Sequence, residues 1–302
     1  MCQGSAELFQ EVAATVRSWS PEKLRVHGFD LIFRGSDSSY LRRQHARTVL
    51  VGEHLLNELG SLGIGPVILM KGLEVAQLYP DPVDRPFRDV DLLVRNAQMV
   101  WQHYVDLGYR QDLSHGIDID HHHLPALADP TGVLGIEFHH RPNLPAWVRL
   151  DNHLVFDTAG PSRTGIVGIQ RPRDDLHALL MAMHCWKGGF ARLRDLLDAL
   201  LLASVSALPV EETADELGLG RFWRWTVRFA EAELMGRSTF TTRTVARVIL
   251  PRRPRVADWK WSRVFAPYLV ANPVRVSLGH LADYRLGRDA RRASPDDSRQ
   301  PN

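Results

Sequence analysis

The chain has 302 residues, 44% of them hydrophobic, and a formal net charge of +2. That length can bury a substantial core, and two lobes are expected rather than one large domain. A nearly balanced charge excludes a global electrostatic case for nucleic acid or membrane as the main partner, and two cysteines, Cys2 and Cys185, support neither a disulfide framework nor a thiolate zinc site.

The first residues lack a basic flank followed by an apolar core, and Glu7 and Glu11 argue against a secretory signal. A bilayer needs about 20 consecutive apolar residues. The best stretch, residues 196–205, is half that length and reads as a buried helix. A soluble, cytoplasmic protein without a membrane partner is the expectation.

Apolar residues recur at helical spacing over residues 7–19 and 40–62, where Gly60, Gly63 and Gly65 close the second segment. Residues 66–70 form a short apolar run that predicts the first strand, leading directly into Lys71-Gly72 and a helical stretch ending near Tyr79-Pro80. Proline and aspartate crowd residues 80–86, as in a tight surface loop. Residues 89–94 predict a second strand, with Asp89 and Asp91 at its opening. A helix over 97–107, a His-rich segment and a third strand over 133–140 follow. This succession predicts a small mixed sheet with helices on one side. Residues 143–173, rich in Pro, Gly and short strand-like pieces, hold the boundary between lobes.

From Asp174 the pattern is helical almost throughout, over 174–186, 190–204 beyond the Gly188-Gly189 break, 210–217, 221–235, 241–249 and 259–286. The expected class is therefore α+β: a sheet-containing lobe with N-terminal helices (1–160), an all-helical C-terminal lobe (161–287) and a charged, disordered tail (288–302).

The chemistry concentrates in Lys71-Gly72, Arg85 and the run Arg88-Asp89-Val90-Asp91-Leu92-Leu93-Val94. Strand residues two apart point to the same side, so Asp89 and Asp91 set two carboxylates side by side. Such a pair repels unless a cation lies between, and magnesium prefers hard oxygen ligands shared with substrate phosphates. Two such ions, clamping the attacking and leaving oxygens of an in-line displacement at phosphorus, need a third carboxylate. Glu137, on the predicted third strand in Gly135-Ile136-Glu137-Phe138-His139, is the candidate. Gly72 lets the backbone approach a phosphate, the following helix offers free N–H groups, and Lys71 and Arg85 add positive charge.

Residues 68–94 resemble the signature of the uncharacterised nucleotidyltransferase group within the DNA polymerase β-like superfamily: Lys-Gly, a Tyr-Pro loop with arginine, then Asp-x-Asp-Leu-Leu-Val. The resemblance continues through Glu137-Phe138-His139 and through His184, Lys187, Arg194, Asp195 and Asp198, covering about residues 55–202. It implies a nucleotidyltransferase fold, Asp89 and Asp91 as metal ligands and Glu137 at the third acidic position. A nucleoside triphosphate would be the substrate. The acceptor is open among a small molecule, a peptide, a protein and a tRNA end. Lys71-Gly72 departs from the Gly-Ser or Gly-Gly of better-studied superfamily members.

His184 and Lys187 lie one turn apart, with Arg194, Asp195 and Asp198 on the next helix. They fit either a lobe-bridging ion network or nucleotide binding, with Lys187 the member assigned to phosphate. Two other readings remain: a catalytically silent module of the same fold that binds a peptide or RNA, and a His-based metalloenzyme. The second would draw on His121, His122 and His123 with His139-His140, although adjacent strand histidines face opposite ways. The aromatic helix 222–229 is expected to pack in the core rather than stack on nucleic acid, and Arg252, Arg253, Arg255 and Lys260, with Trp259 and Trp261, form a basic patch.

Overall fold

The computed structural model of the protein describes residues 3–29, 39–111, 122–142, 144, 148, 150–187 and 192–237. The expected helices over 241–249 and 259–286, the tail, the basic patch with Trp259 and Trp261, the Gly188-Gly189 break and His121 lie outside the described residues.

The chain starts with α1 (Gln3–Val16) and α2 (Pro21–His27). The second helix has local causes: Ser20 accepts a hydrogen bond from the Lys23 N–H at 3.2 Å, Pro21 occupies the first turn, and Gly28 ends it at φ +78°. After α3 (Ser39–Ser61) come β1 (Val67–Leu69), the single turn α4 (Leu73–Ala76), β2 (Asp89–Val94), α5 (Ala97–Asp106), β3 (Arg110–Gln111), β4 (Leu127–Ala128) and β5 (Gly135–His139). Helix α6 (Asn152–Asp157) precedes the hairpin β6 (Gly160–Pro161) and β7 (Ile169–Arg171), and α7 (Asp174–Lys187), α8 (Arg194–Val205), α9 (Val210–Glu216) and α10 (Gly220–Leu234) complete the described chain.

Among the described residues the strands form one mixed sheet in the order β3-β4-β5-β2-β1-β7-β6. β2 lies antiparallel to β1 and parallel to β5, and β7 runs parallel to β1. The sheet thus continues past residue 160 as far as Arg171. Strands of two or three residues carry too little alternation to be read from sequence.

Period-two alternation divides the two faces. Val67, Leu69, Val90, Leu92, Val94, Ile136 and Phe138 pack with Leu55, Leu56 and Leu59 of α3 and Val100 and Tyr104 of α5. On the opposite face Ile68, Met70 and Leu93 pack against Val155 and Phe156 of α6 and Leu176 of α7. Helices therefore cover both faces, not the one side expected, because a second apolar stripe also has to be removed from water. The rest of that second face is polar: Asp89, Asp91, Glu137 and His139 share it.

The helical half has its own core. Phe9, Val12, Val16 and Leu24 of α1 and α2 join Leu179, Met183, Trp186, Leu196, Leu197 and Leu201 of α7 and α8. Phe222 and Phe229 of α10 are buried in this cluster, so the aromatic helix serves packing. The Trp186 indole N–H donates to Thr226 Oγ1 at 2.9 Å, which satisfies the one polar handle that burial would leave without water. No helix among the described residues is long and apolar enough to cross a membrane.

Candidate active site

The parallel register of β2 and β5 sets Asp91 directly opposite Glu137 and Leu93 opposite His139, all on one face. His139 Nε2 is 3.2 Å from Asp91 Oδ1 and 3.3 Å from Glu137 Oε2. Lys71 Nζ approaches Asp91 Oδ1 to 3.4 Å from the end of β1. Asp89 stands at the exposed opening of β2, opposite Gly135. Three carboxylates, one imidazole and one ammonium thus gather where the start of the parallel pair meets the Lys71-Gly72 turn.

Their charges are strongly interdependent. Burial alone would raise the Asp91 carboxyl, but Lys71, and after it the His139 ring, hold it well below the usual carboxylate range. Although its side chain keeps solvent exposure, the protein mass around Asp89 and then the Asp91 charge push its carboxyl upward, further than Lys71 offsets. Burial would lower Lys71, yet Asp91, Asp89 and Glu137 together raise it. His139 follows the same logic: burial opposes its protonation and the Asp91 and Glu137 carboxylates outweigh that. Asp91 Oδ2 and His139 Nε2 are buried without a well-aligned hydrogen-bond partner. Buried polar atoms that converge and remain unsatisfied fit a bound cation. Among the described residues Asp91, Glu137 and His139 form the group whose ligand atoms all lie within 4.8 Å of one another.

The Gly72 backbone is what permits this approach. Its φ of +63° and ψ of −117° belong to glycine, and a Cβ there would come within 2.8 Å of the Asp89 carbonyl oxygen. α4, which follows, is one turn of four residues, so a helix dipole adds little for an anion.

Arg85 points inward. Its side chain is buried against Asp198 of α8, with Nε 3.1 Å from both carboxylate oxygens and Nη2 2.7 Å from Oδ2, while Nη1 reaches the Gly72 carbonyl at 3.4 Å. Tyr79 donates to Asp198 Oδ1 at 2.7 Å. Arg194 Nη1 donates to the Pro86 carbonyl at 2.7 Å, so α8 grips the loop before β2 twice. Asp195, beside them, has its carboxyl raised by burial beyond what Arg194 offsets. The Arg194, Asp198 and Arg85 side chains accordingly bridge the two halves of the molecule.

On the helical side, His184 and Lys187 belong to the last turn of α7. Burial, and next the neighbouring Lys71 charge, lower the His184 imidazole to about 3. Asp91 and Glu137 act on it in the opposite direction, so His184 lies within electrostatic reach of the sheet's acidic cluster. His122 and His123 flank His139, with ring centroids 5.3 and 5.2 Å away.

Residues 39–234 match the profile of an uncharacterised nucleotidyltransferase family. The chain belongs to that family. The match runs from the first turn of α3 to the last residue of α10, so it takes in the acidic cluster, the Lys71-Gly72 turn and the helical partners together. No curated protein and no solved structure matches the chain. Nucleotidyltransferases as a class use divalent ions, and the carboxylate-imidazole cluster has the chemistry to hold one.

The sequence pattern singles out Lys71, Asp89, Asp91, Glu137 and His139, which the fold brings to one face, but two contacts have no counterpart in it. His139 stands two residues from Glu137 in sequence, and the fold adds a contact to Asp91, with Nε2 3.2 Å from Asp91 Oδ1 and 3.3 Å from Glu137 Oε2. Tyr79, visible in sequence only as part of the Tyr-Pro loop, orients Asp198. Neither contact has a local signal, since each depends on which elements come to lie side by side.

Proposed function

We propose that the protein transfers a nucleoside monophosphate from a nucleoside triphosphate to an acceptor hydroxyl or phosphate and releases pyrophosphate. The observation that carries this reading is the in-register pairing of Asp91 with Glu137 beside Lys71, in a chain of a nucleotidyltransferase family. Divalent metal, magnesium in this reading, neutralises phosphate charge and aligns the attacking and leaving oxygens when bound. Asp89, Asp91 and Glu137 would hold it.

The chain's own groups do the rest. Lys71 is a half-buried ammonium next to Asp91, its protonation favoured by the surrounding carboxylates, and it is placed to contact an anionic phosphate oxygen. Glu137, less buried than Asp91, would either place a second ion or receive the acceptor's proton as the new bond to phosphorus forms. Arg85, locked on Asp198, supports the Gly72 carbonyl from beneath and so fixes the turn that carries Lys71. His184 and Lys187 approach the same space from α7, where Lys187 takes a distal phosphate and the neutral His184 takes base, sugar or acceptor. Alignment and charge neutralisation supply the acceleration.

The test is incubation with each α-labelled triphosphate, magnesium and a cell extract. Label should pass to one fraction with equimolar pyrophosphate, and both should vanish in Asp91→Asn. Tight binding of a partner that is unchanged in Asp91→Asn, with no label moved, would instead identify a silent binding module.

A further inference from the structure

We propose that His139 is itself a metal ligand, and that the Asp91-Glu137-His139 site therefore selects manganese(II) or a similar first-row transition ion over magnesium. This deepens the proposed function: it rests on that reading of Asp91 and Glu137 as holders of the ion, adds His139 to them and replaces magnesium as the preferred ion.

Geometry carries the case. Donors that share one ion at about 2.1 Å sit about 3.0–3.5 Å apart at octahedral or tetrahedral angles. His139 Nε2 lies 3.2 Å from Asp91 Oδ1 and 3.3 Å from Glu137 Oε2, inside that window for both. A single N–H can serve only one carboxylate in good alignment, and neither contact has that alignment. The imidazole is fully buried and Asp91 nearly so, so water does not take the place of the missing partner. A cation satisfies all three atoms at once.

The register makes the arrangement a property of the fold. Glu137 and His139 are two apart on β5 and share a face, and Asp91 reaches them from the parallel neighbour β2. His122 and His123 lie beside the ring at centroid distances of 5.3 and 5.2 Å. The donor set is then two carboxylate oxygens and one imidazole nitrogen. Nitrogen suits borderline first-row ions, whereas magnesium prefers an all-oxygen shell and keeps several waters.

The experiment uses the full chain, stripped with a chelator and loaded with Mn²⁺ alone, read by pulsed electron paramagnetic resonance. The expected spectrum shows modulation from a directly bound imidazole nitrogen, which changes to the ¹⁵N pattern when the protein is made with ¹⁵N-histidine. This first reading needs no variant, so a folding defect cannot obscure it. In His139→Ala, and in His139→Gln as the volume-conserving alternative, the modulation disappears. Mn²⁺ affinity there falls by at least about tenfold, while that for Mg²⁺ changes much less. An oxygen-only spectrum, no Mn²⁺ bound at all, or modulation that persists without His139 overturns the proposal. Triphosphate binding and label transfer on the same samples separate the two readings. Transfer with an oxygen-only ion sinks His139 ligation alone, and nitrogen coordination without triphosphate binding sinks nucleotidyl transfer alone.

Discussion

Arg85 and Asp198 are 113 residues apart in sequence and form a buried two-pronged ion pair, with Nη2 2.7 Å from Oδ2 and Nε 3.1 Å from each oxygen. One partner leaves the turn between β1 and β2, and the other sits in the middle of α8. The pair therefore ties the sheet-bearing part of the chain to the helical half. Asp198 also receives the Tyr79 hydroxyl, while Arg85 extends to the Gly72 carbonyl.

Removing one partner leaves the other charged and buried, which costs more than the pair contributes. Asp198→Ala is expected to lower unfolding free energy by about 3–5 kcal/mol, whereas Arg85→Met with Asp198→Leu recovers much of that loss. Urea midpoints of the wild type and the two variants measure both quantities. A double variant as unstable as the single one would show that the pair is not an isolated unit.

Gly72 leads to a second expectation. At φ +63°, with a virtual Cβ only 2.8 Å from the Asp89 carbonyl oxygen, alanine meets both backbone strain and backbone it cannot displace cheaply. Gly72→Ala should cost at least about 1–3 kcal/mol. Because Lys71 precedes it, transfer activity should fall further than the loss of folded protein explains. Activity normalised to the folded fraction at low temperature distinguishes the two effects.

How much of this was legible in sequence differs by element. Strand β2 coincides with its expected bounds, since its acidic opening and apolar continuation both follow period two. The shared face of Asp89, Asp91 and Glu137 was legible too, because strand alternation fixes it, whereas the closeness of His139 to Asp91 follows only from the pairing of β2 with β5. Arg85 was not: a loop arginine beside aspartates suggests phosphate, and only the packing of α8 shows that it is spent on Asp198. α2 could have been read from Ser20-Pro21 and Gly28, whereas β6 and β7 owe their pairing to β1 and have no pattern of their own.

His177 predicts how stability depends on pH. Its Nε2–H donates to the Met70 carbonyl at 2.6 Å, at the end of β1, and burial lowers the imidazole to about 3. In the unfolded chain the same group takes up a proton near pH 6.5. Below that pH the unfolded state binds the extra proton and the folded state does not, so the contribution is complete above 6.5 and declines as pH falls toward 3. From pH 7 to pH 5 this one residue should remove about 2 kcal/mol. Urea unfolding at the two pH values should show a smaller drop for His177→Gln than for the wild type. Equal drops would place the acid sensitivity elsewhere.

Lys71 offers the sharpest separation of chemistry from stability. Its ammonium is 3.4 Å from Asp91 Oδ1 and its side chain is 17% exposed, so it is held by the acidic cluster yet open toward the space a triphosphate would occupy. Lys71→Met keeps the aliphatic stem and its packing against the turn. It removes the one positive charge among the described residues that contacts Asp91 through a protonated amine. Removing a pre-placed donor of this kind costs about 10²–10³ in turnover. The rate of label transfer under saturating triphosphate should therefore drop by about two orders of magnitude, and the metal requirement should remain. Stability should move far less than for Asp198→Ala, because Asp91 loses a partner but gains the freedom to bind its cation without competition. If Lys71→Met turns over normally while Asp91→Asn does not, Lys71 serves only to balance the acidic cluster in the absence of the ion.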